Sequence, residues 1–72
     1  MNEKVLLSKI GARIKELRSE KGMSQQELAA ALDYEKSNMS RLESGKINPR
    51  IGTLYKVASV LKVSLKELVD IK

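Results

Sequence analysis

Apolar residues recur along most of this chain at spacings of three and four positions, with polar residues between them. Near the start, four apolar side chains share one face of a helix: Leu7, Ile10, Ile14 and Leu17. No segment alternates apolar and polar residues as a half-buried strand does. The pattern therefore predicts an all-α fold of five helices, which begin near residues 5, 24, 35, 51 and 64 and end near residues 21, 32, 44, 61 and 69.

Short local motifs mark where these helices begin and end. A capping box, in which two side chains each accept a hydrogen bond from a backbone N–H of the first turn, is predicted twice: at Ser24 with Glu27 and at Ser64 with Glu67. Gly22 stands where a left-handed cap closes the first helix, and the third helix is predicted to end at Gly45. Gly11 lies inside the first helix, where the absence of a side chain permits another helix to approach closely.

The segment from Ser24 to Pro49 predicts two short helices joined by a tight turn at Asp33 and Tyr34. Alanines at positions 29–31 keep the first of these helices thin, so the second is able to cross it at close range. The second helix offers polar side chains on its outer face. This arrangement, over about residues 24–44, is typical of a helix-turn-helix, whose second helix enters the DNA major groove.

The composition narrows the class of protein. A length of 72 residues allows one domain, residues 1–72. The chain has neither histidine nor cysteine, and it lacks a glycine-rich phosphate loop and a clustered carboxylate pair. The commonest general base and the main transition-metal ligands are therefore missing. We expect a binding protein with no enzymatic activity, no metal and no cofactor.

The apolar segments are too short for a membrane protein. None approaches the roughly 20 apolar residues that cross a bilayer. The opening stretch MNEKVLLSKIGA has too short an apolar core for a secretory signal. We therefore expect a cytoplasmic protein with no membrane partner.

Charge favours a polyanionic partner. Lysine and arginine number 14 against nine aspartate and glutamate, a net charge of +5. Residues 1–22 carry six basic and three acidic groups, and residues 50–72 carry five and two. Residues 23–49 are nearly neutral, with three basic and four acidic groups. Basic flanks around a neutral centre suit a division in which the flanks hold phosphates and the centre reads bases.

An ordered set of residues spans roughly positions 8–70: Ile14, Leu17 and Arg18; Gly22 to Gln25 and Glu27 to Ala29; Ser40, Arg41, Glu43 and Gly45; Asn48 and Pro49; Thr53 and Leu54; and Val63 to Leu65, Glu67 and Leu68. The set resembles the Xre family, which includes phage Cro and repressor-type DNA-binding domains. This resemblance implies a compact, lambda-repressor-like five-helix bundle that binds double-stranded DNA and regulates transcription, most simply as a repressor or autoregulator.

The resemblance also implies roles for individual residues. Side chains on the outer face of the third helix would read bases: Lys36, Ser37, Asn38 and Arg41. A second set would hold the DNA backbone, beginning with an exposed residue at the start of the second helix: Gln25, Ser40, Lys46, Asn48 and Arg50.

Two positions are expected to be structural. Arg18 and Glu43 lie at the margin of the core, and the resemblance implies an ion pair that fixes the angle between the first and third helices. The chain departs from the family pattern at Asp33 and Lys62, where glycine is usual, and at Glu35, where a small hydroxyl residue is common. Glu35 would repel phosphate or accept a hydrogen bond from a cytosine amino group.

One recognition helix contacts only a few base pairs, so we expect a homodimer on a pseudo-palindromic operator. Its predicted interface is the C-terminal helix and other apolar residues left over from the bundle: Val5, Leu6, Val60, Leu65, Val69 and Ile71. Alternatives to a dedicated regulator are an antitoxin, or a restriction–modification controller, whose role includes binding a protein partner.

Overall fold

The computed structural model describes residues 1–71, and Lys72, the last residue of the predicted domain, lies outside the described residues. Within residues 1–71 the chain forms five helices and no strand, as the sequence predicts. None of these helices is long and apolar enough to cross a membrane. In chain order they are α1 (Glu3–Glu20), α2 (Gln25–Ala31), α3 (Lys36–Glu43), α4 (Ile51–Leu61) and α5 (Leu65–Leu68).

Helix starts follow the capping residues. α1 begins two residues before the predicted start, because the Asn2 side chain accepts a hydrogen bond from the Val5 amide at 2.9 Å. Both predicted capping boxes are confirmed, at Ser24 with Glu27 and at Ser64 with Glu67. The Ser24 backbone and side chain both hydrogen-bond this glutamate, and they lower the pKa of Glu27 below its ordinary value. Glu35 precedes α3 without a side-chain capping bond.

Four helix ends share one turn geometry. After α2, the Asp33 amide donates to the Ala30 carbonyl at 3.1 Å and the Tyr34 amide donates to the Ala29 carbonyl at 2.8 Å. This pair of bonds is the Schellman motif, and it requires a left-handed residue after the helix. The left-handed residues are Gly22, Asp33, Gly45 and Lys62, with φ of 70°, 54°, 75° and 58°. The tight turn between α2 and α3 therefore forms at Asp33 although that position is not glycine.

The core lies between α1 and the other four helices, each of which contacts it. Twelve buried apolar residues form it: Ile10, Ile14, Leu17, Leu28, Ala29, Met39, Leu42, Leu54, Val57, Ala58, Leu61 and Leu68. Of the six residues that the sequence predicts for a dimer interface, four pack partly buried against this core: Val60, Leu65, Val69 and Ile71. The other two, Val5 and Leu6, remain exposed at 42% and 38%. The large apolar side chains of α4 that remain exposed are Ile51 at 66% and Tyr55 at 63%.

The C-terminal end of α3 lies directly against α1. A Cβ atom built on Gly11 would come within 2.5 Å of the backbone carbonyl oxygens of both Leu42 and Glu43. A Cβ on Gly45 would come within 2.5 Å of the Ser8 Cα atom. The predicted close approach at Gly11 is therefore present, and backbone atoms form both sides of the contact.

We predict that Gly11→Ala destabilises the protein by about 1–3 kcal/mol, because the added methyl group meets backbone that cannot rotate away. Urea unfolding monitored by circular dichroism measures this change. Gly52→Ala is the matched control, since a Cβ there meets nothing within 4 Å. It should stabilise α4 by about 0.5–1 kcal/mol. Equal effects of the two substitutions would contradict the close contact.

Candidate nucleic-acid interface

Helix α3 has one buried face and one exposed face. Met39 and Leu42 are 0% and 1% exposed, and they anchor the helix in the core. Four polar residues at helical spacing lie on the opposite, exposed face: Lys36, Ser37, Ser40 and Arg41. Since α3 is eight residues long, this stripe covers both of its turns.

The predicted base-reading residues lie on or beside this stripe. Lys36, Ser37 and Arg41 are exposed, while Asn38 is half-buried at the edge. Within residues 1–71, no side-chain hydrogen bond or salt bridge engages any of them. Their hydrogen-bond donors are therefore available to an external partner that lies against α3. Glu35 is exposed just before the helix, where it adds one negative charge.

Gln25 differs from its predicted exposed position. It is half-buried, and its side-chain Nε2 donates a hydrogen bond to Glu43 Oε1 at 3.1 Å. The start of α2 therefore leans against the C-terminal turn of α3. One amide N–H and the amide oxygen of Gln25 remain for another partner.

The segment between α3 and α4 carries the other predicted backbone-holding residues. Lys46, Asn48 and Arg50 are exposed there. The Asn48 amide donates from Nδ2 to Glu3 Oε1 at 2.9 Å, which ties this segment to the first residue of α1. Glu3 also brings an acidic group against one of the predicted phosphate contacts, Asn48, and no local sequence pattern predicts this pairing.

Arg18 and Glu43 form a two-pronged ion pair beneath the surface. Arg18 Nε donates to Glu43 Oε2 at 2.7 Å, and Arg18 Nη2 donates to Glu43 Oε1 at 3.0 Å. The two side chains are 11% and 3% exposed. The hydrogen bonds to Glu43 raise the pKa of Arg18, burial lowers it, and the opposite charge raises it further, with a net increase. The guanidinium therefore stays charged, and the pair braces α1 against α3.

The same guanidinium also holds the connection between α1 and α2. Arg18 Nη1 donates to the Met23 carbonyl oxygen at 2.8 Å. Met23 directly precedes Ser24, the residue that caps α2. Arg18 thus fixes both the end of α3 and the start of the helix-turn-helix.

These contacts sort the predicted site residues along α3. The three exposed base-reading candidates occupy its outer face, while Gln25 meets its C-terminal residue, Glu43. The segment with Lys46, Asn48 and Arg50 leaves from that same end. The candidates for backbone contact other than Ser40 therefore gather near the C-terminal end of α3. Sequence reasoning missed the bonds from Gln25 to Glu43 and from Asn48 to Glu3, because nothing local in the chain marks these partners.

We predict that Arg18→Ala lowers the free energy of unfolding by up to about 3–5 kcal/mol, because it strands the Glu43 carboxylate in the core. Thermal and urea unfolding measure the loss. Glu16→Ala is the control on the same helix: it breaks the Arg13–Glu16 pair, in which Glu16 is 58% exposed. Its effect should stay within about 1 kcal/mol. An Arg18→Ala variant that unfolds like the wild type would show that the pair carries little stability.

Comparison with known proteins agrees with this geometry. The family model HTH_3, described as helix-turn-helix, matches residues 14–68. The regulator SinR of Bacillus subtilis (strain 168) is 47% identical over 64 residues, which cover 88% of this chain and 58% of SinR.

Two solved structures are also similar. SinR in complex with DNA has a TM-score of 0.77 at 47% identity, over 85% of this chain and 98% of that one. The restriction–modification controller C.AhdI from Aeromonas hydrophila has a TM-score of 0.82 at 35% identity, over 86% and 94%. Because the family model covers most of the chain and the exposed polar face of α3 lies within it, the chain belongs to the HTH_3 family of helix-turn-helix proteins.

Proposed function

We propose that this protein binds a specific double-stranded DNA sequence and regulates transcription from it, as a small repressor or autoregulator. The observation that carries the proposal is the outer face of α3, where Lys36, Ser37 and Arg41 are exposed and engage no partner within residues 1–71. Membership of the HTH_3 family and the likeness to SinR, solved with DNA, support the same function. Helix α3 would lie in the major groove.

The chemistry of this face suits base recognition. Arg41 offers a planar fork of donors that matches guanine O6 and N7, and Lys36 donates to the same atoms. Asn38 carries the donor and acceptor that match adenine, and Ser37 pairs with either kind of base. Each good two-pronged contact discriminates against a wrong base by about 1–3 kcal/mol.

Backbone contacts would supply most of the affinity. Gln25 and Ser40 would hold phosphates beside the groove, together with Lys46, Asn48 and Arg50 near the C-terminal end of α3. The net charge of +5 adds a long-range attraction to the duplex. Exposed Glu35 would repel a phosphate or accept a hydrogen bond from a cytosine amino group.

Selection of bound sequences from a random DNA pool tests the function. We expect an enriched motif that the protein then protects from cleavage. Lys36→Ala and Arg41→Ala should change which bases are enriched. Lys46→Ala and Arg50→Ala should weaken all sites alike, and each should reduce the slope of log K against log salt by about 1.

Gln25→Ala serves as the uncharged control in that series, because it should weaken all sites without changing the salt slope. Salt-sensitive binding with no enriched motif would reject sequence recognition. If Lys46→Ala changes the base preference and Arg41→Ala does not, the assignment of base contacts and phosphate contacts is reversed.

We further propose that the protein acts as a homodimer on a two-fold symmetric operator, because one eight-residue recognition helix reads few bases. We propose that the two subunits meet at the face of α4 that carries Ile51 and Tyr55, because both side chains are exposed to solvent. The predicted C-terminal helix is less suited, because its Leu65 and Val69 are already partly buried against the core. Ile51 and Tyr55 lie one helical turn apart on the same side of α4.

Analytical ultracentrifugation tests this interface. The double variant Ile51→Ser/Tyr55→Ser should shift the protein from dimer to monomer and remain folded, since both side chains are exposed. Val5→Ser changes an exposed apolar side chain that the sequence also predicts at the interface, and it should leave the dimer intact if α4 forms the contact. Loss of the dimer in this variant would contradict the α4 interface. Dissociation by Val69→Ser alone would instead support the C-terminal helix.

The likeness to C.AhdI favours one narrower role, that of a restriction–modification controller. This role uses the same DNA-binding surface and differs only in which operator is bound. Footprinting on the DNA upstream of the protein's own gene and of its neighbours distinguishes the roles. Protection upstream of an adjacent restriction gene would indicate the controller.

A further inference from the structure

The buried Glu43 carboxylate contacts Gln25 as well as Arg18. Its Oε1 atom accepts two hydrogen bonds, from Arg18 Nη2 at 3.0 Å and from Gln25 Nε2 at 3.1 Å. Its side chain is 3% exposed, so these bonds form away from water. Glu43 therefore joins a residue of α1 to the first residue of α2.

A glutamine amide carries two N–H donors and one carbonyl acceptor. Glu43 takes one donor of Gln25, which fixes the plane of the amide and leaves the second donor available. We propose that Glu43 is a positioning residue for DNA binding: it holds the Gln25 amide in the orientation in which its second N–H donates to a backbone phosphate. This inference rests on the proposed function.

Neutralisation by Arg18 makes the arrangement compatible with DNA. A lone carboxylate beneath the contact surface would repel the phosphate that Gln25 binds. The guanidinium, held at both carboxylate oxygens, cancels that charge at close range. Arg18 also holds the Met23 carbonyl, so backbone and side chain at the start of α2 are fixed by one cluster.

Gln26 provides an internal comparison. It has the same side chain at the next position of α2, but it is exposed. Ordering a long, flexible side chain on binding reduces affinity. A Gln25 amide already ordered by Glu43 avoids that cost, whereas an amide at position 26 would not.

A double-mutant cycle on the selected operator tests the proposal. Glu43→Gln removes the charge and one acceptor oxygen, and we expect it to raise Kd about two- to tenfold in the wild-type background. In the Gln25→Ala background, the same substitution should change Kd by less than about twofold, because the side-chain amide that Glu43 orients is absent.

Ile14→Val is the control for lost stability, because Ile14 is buried on α1 and takes no part in the hydrogen-bonded cluster. At a temperature where all variants are folded, it should leave Kd unchanged. An equal loss of affinity from Glu43→Gln with and without Gln25 would overturn the proposal and leave DNA binding itself intact. Failure of the unmodified chain to bind any sequence would overturn the proposed function as well.

A second measurement needs neither variants nor DNA. Nitrogen-15 relaxation of the side-chain amides reports how freely each one moves in the unmodified protein. The Gln25 amide should be as ordered as the backbone, while the Gln26 amide should be mobile. Equal mobility of the two amides would overturn the proposal even if Glu43→Gln fails to fold.

Discussion

The ion pair between Arg18 and Glu43 connects the parts of this protein that must keep a fixed relation. Through one guanidinium it ties α1 to the end of α3 and to the Met23 carbonyl before α2. Through one carboxylate it reaches Gln25. A buried pair of this kind is costly to desolvate, so exchanging both partners for well-packed apolar residues is often neutral or stabilising. What it provides is geometry: the three segments that frame the recognition helix cannot shift independently.

Close backbone approach is the second constraint on the same region. Gly11 and Gly45 remove side chains where α1 meets the end of α3, so the two main chains come into contact. Rigid backbone packed on rigid backbone leaves no side chain to adjust. The position of α3, and therefore of its exposed polar stripe, follows from α1. This explains how a chain of 72 residues without disulfides holds a recognition surface in place.

Charge is distributed in keeping with this arrangement. The acidic groups of the helix-turn-helix have separate roles: Glu27 caps α2 and Glu43 is neutralised by Arg18. Asp33 is exposed in the left-handed turn, and Glu35 is exposed just before α3. Two further basic groups, Lys46 and Arg50, are exposed in the segment between α3 and α4. The exposed polar stripe of α3 itself carries two cationic residues, Lys36 and Arg41, with the carboxylate of Glu35 beside it.

The sequence by itself determined the local structure: both capping boxes, the left-handed end at Gly22, and the bounds of α4 as predicted. These features depend on residues within about one helical turn of each other, so short patterns encode them. The sequence pattern also identified the family and the apolar faces of the helices. Only the tertiary structure decided that Gln25 bonds Glu43, that Asn48 bonds Glu3, and that Ile51 and Tyr55 of α4 stay exposed while Leu65 and Val69 pack against the core. Those outcomes depend on how helices cross, since partners 18 and 45 residues apart meet only after the core has packed.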